Sequence, residues 1–209
     1  TTEIDTALSD GILYLESIQS PAQGHSGEFA TYRWLLPNQS DKEYNFTLFT
    51  TPFVLHTLNR LTITHGYLDQ VGTPAFNNMK SIAATHLLNY LETLDGHNGV
   101  WRFYGPGTAL PPDFCTTCCN LQCLLAFNST LWGNPISTDL TTYFLTYRRY
   151  SGVDIGAFNT WLTWTQTDVC APTNANVLFF FASRNEEQTI QTTMDWLNTK
   201  IDQMILGQN

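Results

Sequence analysis

Positive charge is scarce in this chain: nine Lys and Arg stand against 18 Asp and Glu, for a net charge of −9. A nucleic-acid binder needs a basic face, and an anionic membrane attracts one too, so both partner classes are disfavoured. Long apolar runs are also missing. Spanning a bilayer takes about 18 or more consecutive apolar residues, and the most apolar stretch here, Val177 to Ala182, is six long. No transmembrane segment is expected. The opening TTEIDTALSD is acidic and polar, unlike a signal peptide. No Gly-rich phosphate loop, Ser-His-Asp order or His-Glu-x-x-His motif occurs. Cysteines number five, an odd count, and four of them crowd into 115–123. That pattern reads as reduced thiols in a cytoplasmic protein and not as a disulfide framework. The sequons at Asn38, Asn45 and Asn128 are expected chance matches in a chain rich in Asn and Thr.

What is present is apolar and aromatic. Hydrophobic residues make up 43% and aromatics 13% of 209 residues, enough for one well-packed domain over 1–209. Helical spacing links Ile4, Leu8, Ile12, Leu15 and Ile18. It recurs from Met79 through Ile82, Ala83, Leu87, Tyr90 and Leu91 to Leu94, and again at Ile190, Met194, Leu197, Ile201 and Ile205. These runs keep a polar face. Between them Phe49–Leu61, Phe114–Phe127 and Val177–Phe181 are apolar nearly all round, as buried helices are. The last is short and Val/Phe-rich, so a strand is the other reading there.

A repeat organises these segments. Gly-x-aromatic-x-x-aromatic occurs at Gly27–Tyr32, Gly99–Tyr104 and Gly156–Trp161. A small polar residue follows each turn, Thr51, Thr117 and Asn174, with Leu55, Leu121 and Leu178 four positions later. Glycine permits the turn, the aromatics fill the gap between hairpins, and Thr or Asn caps the next helix. The chain therefore reads as all-α, with outer and inner helices alternating three times and one more outer helix, about seven in all.

The stretch from Gly99-Val-Trp101-Arg-Phe103-Tyr104 through Leu110-Pro-Pro-Asp113 into an apolar helix resembles the repeat of squalene and hopene cyclases. The resemblance implies membership of the terpenoid cyclase and protein prenyltransferase superfamily, whose hairpins close into an α/α toroid. About three and a half hairpins make a partial toroid. A partner subunit or a homodimer is expected to complete it, the alternative being an open crescent with an apolar inner face. The ligand implied is a hydrophobic, isoprenoid-like small molecule.

Class II cyclases protonate their substrate with the third residue of Asp-x-Asp-Asp, and the aligned residues here are Asp113-Phe114-Cys115-Thr116. Cys115 replaces the acid. The reference acidities of Asp and Cys differ by roughly 4.6 units, about 6 kcal/mol, a large loss for a reaction needing a strong acid. Prenyltransferase β-subunits bind zinc through Asp-x-Cys plus a later His, so Asp113 and Cys115 are also the candidate metal pair, with zinc as the candidate cofactor. The next inner helix offers Asn174 and Asn176 where the His is expected. Asp113 and Cys115 are thus the candidate catalytic residues if the chain is an enzyme. Trp101, Phe103, Tyr104, Thr117, Asp168, Asn174, Glu28 and His56 are the candidate ligand-binding residues. Plainer readings stand beside these: Asp113 as a helix N-cap, His56 as a core histidine, and the repeat aromatics as packing. Four cysteines on one helix arc of about 140° cannot wrap a tetrahedral metal, so buried thiols filling a tight helix is the plain reading there. Arg102, Arg148 and Arg149 are candidates for a diphosphate, or in the last two cases for the dipole at a helix end. Trp34, Trp132 and Trp196 read as structural. The competing function is a non-catalytic scaffold or protein-binding descendant of a cyclase.

Overall fold

The computed structural model describes residues 2–19, 25–34 and 42–205, with backbone alone at 32–34, 42–43 and 205. Among these the chain is mostly helical: α1 Glu3–Ile18, α2 Thr50–Thr64, α3 Pro74–Asn89, α4 Phe114–Phe127, α5 Leu140–Leu145, α6 Ala171–Ser183 and α7 Gln191–Ile205. Seven α-helices match the expected number, and residues 171–183, readable as a strand, are helical. Pro172 in the first turn fits a helix start. Thr2 and Asp5 exchange side-chain and backbone hydrogen bonds at the head of α1, at 3.1 and 2.9 Å, forming a capping box. Thr73 caps α3 through Phe76 N, with Pro74 next.

Four short strands depart from the all-helical expectation: β1 Tyr32–Trp34, β2 Lys42–Tyr44, β3 Glu92–Leu94 and β4 His97–Val100. They form two antiparallel pairs, β1 with β2 and β3 with β4. The helix expected to run to Leu94 ends at Asn89. Asp95 and Gly96 both take positive φ, 51° and 85°, and turn the chain into a hairpin instead.

The chain divides into two compact units, Thr1–Leu91 with Cys123–Ser129, and Glu92–Gln122 with Thr130–Asn209. In the first unit α3 packs on α1 and α2. Leu48, Leu55, Leu58, Phe76, Met79, Ala83 and Leu87 are among its buried apolar residues, and Asn59 Nδ2 donates to Cys123 O at 3.0 Å. In the second, Phe114 meets Phe144 and Phe158 edge-on at 5.1 and 5.4 Å, and Phe180 and Phe181 extend that cluster.

The three glycine turns share one construction. Gly27, Gly99 and Gly156 all have positive φ, at 92°, 122° and 91°. A Cβ on Gly27 would sit 2.4 Å from Ile82 O on α3, and one on Gly156 2.4 Å from Thr192 O on α7. Those two turns press on the backbone of the outer helix that follows, where only glycine fits, while Gly99 faces the side-chain end of Leu140 at 2.6 Å. Two residues on, Phe29 N donates to Thr51 Oγ1 at 3.1 Å, Trp101 N to Thr117 Oγ1 at 3.0 Å and Phe158 N to Asn174 Oδ1 at 2.7 Å. In the second unit the clamp closes both ways: Thr117 Oγ1 donates to Trp101 O at 3.3 Å and Asn174 Nδ2 to Phe158 O at 3.1 Å.

This corrects the capping role expected for Thr51, Thr117 and Asn174. They lie inside α2, α4 and α6, and their side chains reach sideways to the turn. The aromatics also divide. Phe29, Trp101 and Phe158 are buried, whereas Tyr104 is 39% exposed and Trp161 half-buried. The side chains of Tyr32 and Trp34 lie outside the described residues, as does Asn38.

Candidate functional site

Asp113 stands immediately before α4. Its Oδ1 accepts from Thr116 N at 2.7 Å, an N-cap bond, while Oδ2 is buried without a partner at hydrogen-bond distance. Burial pushes its carboxyl up to about 6, against the opposing pull of the Thr116 N–H. Asp113 as a whole is buried.

Two residues on, Cys115 is half-buried. Its Sγ accepts from Asn176 Nδ2 on α6 at 3.1 Å. The Cys119 thiol and then the Asn176 amide hold the Cys115 thiol below its ordinary value, outweighing burial. Cys118 and Cys123 are buried, and burial pushes both thiols up. None of the five cysteines forms a disulfide. Asparagine, in the place where the resemblance calls for histidine, is what touches the thiol. Among the described residues no three His, Cys, Asp or Glu side chains gather to hold a metal.

The other expected residues separate by burial. Trp101, Thr117 and Asn174 are buried and belong to the turn clamps, which removes them from any ligand surface. Phe103 and Tyr104 pair edge-on at 4.8 Å and are partly exposed. Asp168 is exposed and lines a cavity of about 460 Å³ with Arg149, Asp154, Trp196 and Lys200. The basic side chains are already engaged: Arg102 pairs with Glu92 at 2.9 Å and donates to Leu110 O at 2.7 Å. Arg148 donates to Thr189 O at 2.6 Å and Arg149 to Asn159 Oδ1 at 3.1 Å. Both follow the end of α5 at Leu145 by three residues or more, so they are not the last turn of a helix. Trp132 lies under Arg184 at 4.2 Å and Trp196 donates to Asp154 at 3.1 Å, which are packing roles, while Trp164 stacks on Tyr147 at 4.7 Å. Glu28 and His56 belong to the first unit. His56 is half-buried on α2, and burial, then Arg60, holds its imidazole below the usual value.

A partly accessible stripe is shared by α4 and α6. Half-buried Cys115 and Gln122 flank the buried Cys119 at helical spacing on α4, and Pro172, Asn176 and Phe179 follow that spacing on α6. Gln122 Nε2 donates to Asn176 O at 3.0 Å, beside the Asn176–Cys115 bond, so the two rows lie together. Phe179 is 52% exposed on a helix that buries Val177, Phe180 and Phe181. Gln122 and Phe179 were not singled out from sequence. A polar residue and a phenylalanine at matching turns of apolar helices were the available signal.

Comparison with family models, curated proteins and solved structures gives no match.

Proposed function

We propose that this chain is a domain of the terpenoid cyclase and prenyltransferase type that binds a hydrophobic, isoprenoid-like molecule on the α4–α6 stripe without cyclising it. The observation that carries the reading is Phe179, 52% exposed on the helix whose Asn176 meets Cys115. Covering its exposed half removes roughly 100 Å² of apolar surface from water, about 2.5 kcal/mol of favourable free energy for a greasy ligand. A cyclase acid must lie within hydrogen-bond reach of the atom it protonates. Cys115, at the acid position, is too weak for that work, and Asp113 has one oxygen capping α4 and the other buried. Seven helices are about half of what a closed toroid requires, so a homodimer or a partner subunit that completes it belongs to the same proposal.

Native mass spectrometry with geranylgeraniol and with a straight-chain alcohol of equal carbon number tests this. Retention of the isoprenoid, lost at least tenfold in Phe179→Glu, is the expected result. No retention of either alcohol overturns it. The second reading is a ligand-free scaffold, favoured by the engagement of Thr117 and Asn174 in turn clamps. It predicts that second outcome.

A further inference from the structure

Of the three turn repeats, one breaks its own rule. The residue after the glycine is buried in all three, and it is Val100 and Ala157 in the second unit but Glu28 in the first. A buried carboxylate costs several kcal/mol unless it is paired, and the same backbone device works with an apolar residue twice. Such departures from a local rule gather at functional sites.

Five rings from three segments form a packed cluster that begins at this carboxyl group. Tyr44 Oη donates to Glu28 Oε2, and His25 Nδ1 lies 3.8 Å from the same oxygen. His25 stands 5.5 Å from Tyr44 and 4.8 Å from Phe46, centroid to centroid. Phe46 is 5.1 Å from Tyr90, and Tyr90 is 5.1 Å from His86 on α3. The other oxygen, Glu28 Oε1, is buried without a hydrogen-bond partner, and so is Nε2 of the buried His86. His25, 33% exposed at its side chain, and Tyr44 form the solvent side of the cluster. Among the described residues no three metal ligands assemble here.

We infer that Glu28 and the rings of His25, Tyr44, Phe46 and Tyr90 form a site for an alkylated ammonium group, with Glu28 Oε1 as counter-ion. Ring faces attract an organic cation, and the attraction strengthens where water is excluded. A carboxylate oxygen with no internal partner supplies the charge. The site is separate from the α4–α6 stripe and does not depend on it. Burial pushes the Glu28 carboxyl up against the pull of Tyr44 and His25. The titratable groups around Glu28 are His25, Tyr44 and Tyr90, with His86 behind Tyr90.

Choline and its uncharged isostere 3,3-dimethylbutan-1-ol, titrated into the full chain while the histidine ring signals are followed by NMR, separate the outcomes. Choline is expected to shift the His25 and His86 signals, to bind at least about tenfold more tightly than the isostere, and to weaken as pH falls and Glu28 takes up a proton. Glu28→Gln keeps the shape and should weaken choline by a similar factor. Equal binding of the two compounds, or no shift with choline, overturns the inference. Both arms use the unaltered protein, so they hold even if the variant does not fold.

Discussion

The two units use the same turn and fasten it differently. In the first, Thr51 accepts one hydrogen bond from Phe29 N. In the second, Thr117 and Asn174 both accept from and donate to the aromatic residue's backbone. The first unit seats a carboxyl group behind its glycine, and the second seats Val100 and Ala157. The backbone device is what repeats, and the residue it encloses is free to change chemistry. The buried imidazole of His86 lies in the first unit, and the half-buried Cys115 thiol and the α4–α6 stripe lie in the second.

The largest expected effect tests the shared device. Gly27→Ala and Gly156→Ala each force a Cβ to 2.4 Å from a backbone oxygen at positive φ, so each should cost about 4 kcal/mol or prevent folding. Gly99→Ala, where the closest atom is Leu140 Cδ1 at 2.6 Å, should cost less, because a side-chain end can move. Denaturant unfolding of the three variants reads the order. Equal costs would contradict the distinction drawn between the Gly99 turn and the other two.

Next comes pH, where the units should diverge. Asp113 is raised from 3.8 to about 6 in the fold, so its contribution is full below pH 3.8 and is lost as pH rises through 6. His86 is lowered from 6.5 to about 4 by burial, so its contribution is full above pH 6.5 and is lost as pH falls through 4. Each shift corresponds to about 3 kcal/mol. Glu28, shifted upward, opposes His86 within its own unit. Hydrogen exchange at pH 4 and 7 should show Asp113→Asn flattening the response of the second unit alone, and His86→Gln that of the first. Loss of both responses from one variant would contradict this division.

A smaller effect sharpens the clamp comparison. Asn174→Leu and Thr117→Val each remove a two-way clamp, for roughly 2–3 kcal/mol, against roughly 1–2 kcal/mol for Thr51→Val. Thermal unfolding of the three variants should follow that ranking.

Much of the fold was legible, because glycine-aromatic turns and helical spacing are local signals. The same locality set the limit. Tyr90, Leu91 and Leu94 continue the spacing of α3, yet Asp95-Gly96 bends the chain into the β3–β4 hairpin, a turn signal that outweighs periodicity. Thr117 and Asn174 looked like caps because spacing from a turn does not say whether a residue precedes a helix or lies inside it. The site was legible only at its anchor. Asp113 and Cys115 follow from the motif, but Asn176 meets Cys115 across 61 residues of sequence, and the rings around Glu28 come from three separate segments. Packing decides such meetings, and no spacing rule reports them.

Cys115 offers the most direct test of the α4–α6 stripe as a ligand surface. It is half-buried with a lowered thiol, while Cys118 and Cys123 are buried with raised ones. Iodoacetamide labelling, followed residue by residue by mass spectrometry, should modify Cys115 ahead of those two. Geranylgeraniol should slow that labelling at least tenfold, and a short polar alcohol should not. Labelling of Cys115 at one unchanged rate with and without the isoprenoid would contradict the account.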